Sequence, residues 1–149
     1  MISRKYNFFC PRMGKNASST LVSYFQNFDI NLIDEGHEAI LDTGLEAFMR
    51  GDHRCRVVDP SFFDDCFKFA FVRNPYDRLV SAWFEFKKEG MFWNVKDDLP
   101  EDVRKATIED FNSFVEFTRT YDHIHWCVQA DTLYSGGKQL VDYIGKFEN

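Results

Sequence analysis

The chain has 149 residues, 44% of them hydrophobic and 17% aromatic, which suffices for one domain with its own core and is too apolar for a disordered chain. A formal net charge of −6 argues against general nucleic-acid binding, which relies on many cationic phosphate contacts. No apolar run approaches the ~20 residues that span a bilayer, and the brief one in "MISRKYNFFCPRMGK" is too short for a signal-peptide core.

In chain order, Tyr6–Cys10 reads as a short buried strand. "PRMGKNASS" is a loop of turn formers and small residues, and "STLVSYFQNF" is a helix with apolar residues at Leu21, Tyr24, Phe25 and Phe28. A helix is expected near Leu45–Arg50, "CRVVD" is a strand or extended connection, and "PSFFDD" is a helical turn. Phe67–Val72 is a strand by its length and apolar run. Pro75 opens the next helix, where its missing N–H costs nothing. The buried stripe of that helix is expected at Tyr76, Leu79, Val80, Trp83 and Phe86 or Phe84. After a polar connection, Thr107 and Asp110 resemble a capping box opening a helix to about Arg119. "HIHWCVQADTLY" reads as mostly helical, Gly136-Gly137 as a turn, and "LVDYIGKF" as a final strand. Strands alternating with helices predict a single α/β domain, a three-layer arrangement around a mainly parallel central sheet.

Two segments suggest anion sites. Residues 1–20 hold Arg4, Lys5, Arg12 and Lys15 and no acid, a local cationic region in an acidic chain. Within it, the small residues of "GKNASST" let an anion approach backbone N–H groups at a helix N-terminus, while Lys15 adds a full charge and Ser18, Ser19 and Thr20 add hydroxyls. The loop is not a Walker A pattern, because Lys15 is followed by Asn16 and the earlier glycine is missing. A capped helix start with a solvated lysine explains the same residues equally well. In "RNPYDRLVS", Arg73 stands at the carboxyl end of a predicted strand, where open α/β sheets place ligands. Its guanidinium suits a phosphate or sulfate oxygen pair. Arg78 is expected to pair with Asp77 or Glu85 on a solvated face. Cys10, Cys55, Cys66 and Cys127 have no zinc-site spacing, and Cys10 and Cys66 read as buried thiols.

Taken together, three segments resemble the sulfotransferase family 2 group, the Golgi-type carbohydrate sulfotransferases and their bacterial relatives. "GKNASSTL" resembles the family's 5′-phosphosulfate loop, with Gly14 where Pro is common. "KFAFVRNPYDRLVSAW" resembles its 3′-phosphate segment. "HWCVQADTLYSGGKQLVDYIGKFEN" resembles its His-Trp-x-x-Gln stretch and following strand.

The resemblance implies a P-loop-like fold, with 3′-phosphoadenosine 5′-phosphosulfate as co-substrate and no metal. By matching position, Lys15 would contact the 5′-phosphosulfate and its bridging oxygen. Asn16, Ala17, Ser18, Ser19 and Thr20 would cradle it, and Arg73 and Ser81 would hold the 3′-phosphate. The acceptor would be a hydroxyl, most plausibly of a carbohydrate, with His37 as the base and Glu38 or Glu35 as alternatives. His125 is read as structural or acceptor-side. The family normally continues beyond Phe147-Glu148-Asn149 with a segment that helps close the nucleotide site. A non-catalytic nucleotide-binding remnant is the alternative, and a P-loop kinase a more distant one. As given, the chain is expected in the cytoplasm; a Golgi-lumen or membrane-anchored location would require an N-terminal anchor.

Overall fold

The computed structural model describes residues 1–33, 44–50, 60–89, 109–121 and 123–148. His37, Glu35, Glu38, Cys55, "CRVVD", Thr107 and the connection over 90–108 lie outside the described residues. In chain order the elements are β1 (Ile2–Ser3), β2 (Phe8–Phe9), α1 (Ser18–Gln26), α2 (Leu45–Met49), α3 (Phe62–Asp65), β3 (Phe67–Val72), α4 (Pro75–Glu89), α5 (Phe111–Thr120), α6 (Gln129–Leu133), β4 (Tyr134–Ser135), β5 (Lys138–Gln139) and β6 (Tyr143–Lys146). They fall into two compact units, Met1–Arg73 with Val128–Asn149, and Asn74–Cys127.

The first unit is built on a four-stranded sheet in the order β1-β2-β3-β6. β1 pairs antiparallel with β2, whereas β2–β3 and β3–β6 are parallel. The class is therefore α/β with a mixed, mostly parallel sheet. The strand expected over Tyr6–Cys10 is shorter than the sequence suggests, and it forms a hairpin with β1. Asn7 interrupts it at φ 50°, a left-handed conformation that Asn tolerates better than most residues.

Strand alternation gives the sheet two apolar sides. Phe9 and Ala70 join Leu45, Phe48, Phe63 and Leu133, from α2, α3 and α6. Their chain neighbours Phe8 and Phe69 join Val22 and Phe25 of α1. The Phe9 ring meets Phe63 edge-on at 5.0 Å, and the Phe8 ring lies 4.9 Å from Phe25. Fully burying a side chain such as Phe9 contributes about 2–3 kcal/mol. Gly136 and Gly137, at φ 55° and 79°, make the expected turn between β4 and β5, since both central residues of such a hairpin need positive φ.

In the second unit Ala82 and Phe86 of α4 pack with Phe114 and Phe117 of α5 and with Trp126. The buried stripe differs from the expected one. Tyr76, Val80 and Phe84 are exposed, and Arg78 is buried in their stead. Helix α5 begins at Phe111, because the Asp110 side chain accepts from the Ser113 N–H at 2.9 Å. That makes Asp110 the N-cap, in place of the third helical position assigned to it by the capping-box reading. Among the described residues, no helix is long and apolar enough to cross a membrane.

Candidate functional site

The parallel topology explains how distant segments of the first unit meet. The chain leaves the carboxyl end of β2 through Pro11–Ala17 into α1, and leaves that of β3 at Arg73. The end of β6 leads to Phe147. Three neighbouring parallel strands thus deliver a small-residue loop, an arginine and an aromatic ring to one edge of the sheet, the edge where open α/β sheets bind ligands.

The loop has an unusual backbone. Lys15 and Ala17 adopt φ 65° and 58°, while Asn16 between them does not. Such alternation is the backbone pattern of a nest, a concavity that suits anions, but the Asn16 N–H is already spent on the Met13 carbonyl at 3.3 Å. Ala17 is also the N-cap of α1, where an alanine side chain cannot accept a hydrogen bond, and the first turn contains no acidic residue. The nine-residue helix therefore presents its N-terminal N–H groups and positive dipole end without a side-chain cap. The reading of a conventionally capped helix start is not what the fold shows.

The charges gather around this concavity. Lys15 is half-buried, and the Arg73 guanidinium donates through Nη1 to the Lys15 carbonyl at 3.2 Å. The same guanidinium lies 4.8 Å from the centre of the Phe147 ring, a cation–π contact. Arg12 donates to Ser19 Oγ at 3.5 Å, placing a further cation beside the loop. Ser19 and Thr20 are exposed, whereas Ser18 is buried.

Asn16 is 2% exposed and its side chain turns inward. Its Nδ2 donates to the Phe71 carbonyl at 2.7 Å and to Gln129 Oε1 at 2.8 Å. Gln129 Oε1 also accepts from the Arg73 N–H at 2.9 Å, and Nε2 donates to the Arg73 carbonyl at 2.8 Å. Arg73 Nε is buried with no hydrogen-bond partner. A buried, unpaired donor on a guanidinium, beside uncapped N–H groups and a lysine, fits a ligand with anionic oxygens.

Arg12 and Gln129 are the residues at this edge to which the sequence reading assigned no individual role. The acid-free run over residues 1–20 was the available signal for Arg12. For Gln129 it was the final position of "HWCVQ", the Gln of the His-Trp-x-x-Gln stretch.

Ser81 lies in the second unit on α4, partly buried. Also in that unit, Arg78 contradicts its expected place on a solvated face. It is 3% exposed and donates to the carbonyls of Cys127, at 2.6 Å, and Ile124. Burial pushes its pKa down, and the Cys127 contact opposes that shift. The segment "HIHWCVQADTLY" is a turn followed by the five-residue α6, not one helix. A continuous helix would commit those two carbonyls to the N–H groups four residues on. His123 and His125 approach with Nδ1 atoms 3.0 Å apart and pack on Phe86. Cys10 and Cys66 are buried free thiols, and burial pushes Cys10 up to about 12. Among the described residues, no group of three or more His, Cys, Asp or Glu is placed to hold a metal ion.

A model of the Sulfotransferase family matches residues 1–149. No curated protein and no solved structure matches the chain. With the whole length matched, the chain belongs to the sulfotransferase family, enzymes that use 3′-phosphoadenosine 5′-phosphosulfate as sulfuryl donor.

Proposed function

We propose that this sulfotransferase transfers the sulfuryl group to a hydroxyl of a carbohydrate. The observation that carries the nucleotide part of the reading is the pairing of Arg73 with the Lys15 loop, at the carboxyl ends of adjacent parallel strands. Two anchors of like charge in one unit suit a ligand with two separated anionic groups. The nucleotide supplies an activated sulfuryl group whose transfer leaves negative charge on the departing phosphate.

In this reading, Lys15 and the backbone of Asn16–Thr20 hold the 5′-phosphosulfate, and Lys15 offsets the charge that grows on the bridging oxygen. Ser19 and Thr20 add hydroxyl donors. Arg73 takes the 3′-phosphate, to which Ser81 is assigned by the family's segment alone. His37 removes the acceptor proton, with Glu38 or Glu35 as alternatives. The apolar clusters on the two sides of the sheet support a three-layer, P-loop-like arrangement within one sulfotransferase domain over residues 1–149.

Incubation with ³⁵S-labelled donor and a panel of glycans tests the assignment. Label should pass to at least one glycan, and Lys15→Ala should abolish transfer while leaving the melting temperature near that of the parent. Transfer that survives in Lys15→Ala would remove Lys15 from the mechanism. Transfer to a non-carbohydrate hydroxyl alone would overturn the acceptor class.

A further inference from the structure

The amide of Gln129 is held in one orientation by its neighbours. The Arg73 N–H can only donate, so Oε1 must face it, and Nε2 then faces the Arg73 carbonyl. Oε1 accepts a second bond, from Asn16 Nδ2, whose other hydrogen goes to the Phe71 carbonyl. One side chain thereby satisfies both backbone groups of Arg73 and binds the residue between Lys15 and Ala17. The partners come from three places remote in sequence: the loop after β2, the end of β3 and the start of α6.

We propose that Gln129 and Asn16 form a latch that sets the spacing between the two anion anchors, making Gln129 a positioning residue for the doubly anionic nucleotide. The inference rests on the nucleotide assignment made above. Its physical reason lies in what the Arg73 guanidinium does. Nη1 is engaged with the Lys15 carbonyl, a tie that competes with any bond the guanidinium makes to a phosphate. The latch grips the backbone of Arg73, so the side chain can turn to a ligand while the two segments stay together. A ligand that engages both anchors gains from a fixed spacing, because its second contact is then intramolecular and little ordering remains to be done. A ligand with one anionic group gains nothing comparable.

The test compares two ligands by calorimetry on the full chain: adenosine 3′,5′-bisphosphate, which spans both anchors, and adenosine 5′-phosphate, which has one anionic group. Gln129→Met keeps the length and removes the hydrogen bonds. It should weaken the bisphosphate about tenfold or more and the monophosphate less than about threefold. Asn16→Ala, which cuts the other arm, should give the same selective loss and serves if Gln129→Met does not fold. The double variant should lose no more than the stronger single one, because one latch is broken only once. Equal losses for both ligands, no loss for either, or additive losses in the double variant would overturn the latch. If the parent chain binds neither ligand, the nucleotide assignment itself fails. Normal binding by the parent with unselective variants would leave that assignment standing and remove only the latch.

Discussion

Arg73 and Arg78 are five residues apart and do opposite work. Arg73 closes the end of β3 with its Nε buried and unpaired, while its backbone is held by Gln129. Arg78 faces inward from α4 and spends its guanidinium on the carbonyls of Ile124 and Cys127. Removing Arg78 leaves two carbonyls short of a donor and opens a void within the second unit. Arg78→Ala should therefore lower unfolding stability by about 2–4 kcal/mol, read from denaturant melts. A change below about 0.5 kcal/mol would mean that these contacts are dispensable. Composition alone could not separate the two arginines. Arg73 was legible because it stands where a strand ends and a helix begins. Arg78 was misread because charge on an amphipathic helix is ordinarily turned outward, and the carbonyls that draw it inward lie nearly fifty residues away.

At the scale of elements, the strands were legible where apolar runs were long, as in β3, and poorly so where they were short. β1 has two residues and no periodicity to detect. The turn at residues 124–127 was hidden because its sequence also satisfies helical spacing; the distinction comes from Arg78 taking the carbonyls. Parallel pairing of β3 and β6 adds a constraint that no local pattern reveals. Gly145 stands opposite Phe71, and a Cβ there would come within 2.7 Å of the Phe71 ring. Phe71 also supplies the carbonyl that anchors Asn16. Gly145→Ala should displace that ring and cost about 1–3 kcal/mol in stability. Thermal melts check this, and an unchanged melting temperature would show that the ring yields freely.

For the whole molecule, an acidic chain with net charge −6 concentrates cations where two segments of one unit converge. The loop's small residues and the arginine at the strand end were legible as two candidate anion sites, and the family resemblance assigned both to one nucleotide. The hydrogen bonds that join the two segments were not legible, because they depend on the order of parallel strands and on the amide of Gln129. Stability of the whole fold also carries a pH signature. Burial holds the Cys10 thiol up to about 12, whereas an unfolded cysteine ionises near 8.5. The folded-state value is the raised one, so this contribution is intact below about pH 8.5. It is lost at up to about 1.4 kcal/mol per pH unit as pH rises toward 12. Cys10→Ala should flatten the alkaline limb of the stability profile, and an unaltered limb would assign it to other groups.

The most direct measurement on the central claim is a calorimetric titration of the chain and of Arg73→Ala with adenosine 3′,5′-bisphosphate. A doubly anchored nucleotide predicts saturable binding by the parent and a loss of about tenfold or more in Arg73→Ala, with Arg78→Ala retaining parental affinity under conditions where it is folded. No binding by the parent at millimolar ligand, or equal affinity in Arg73→Ala, would contradict it.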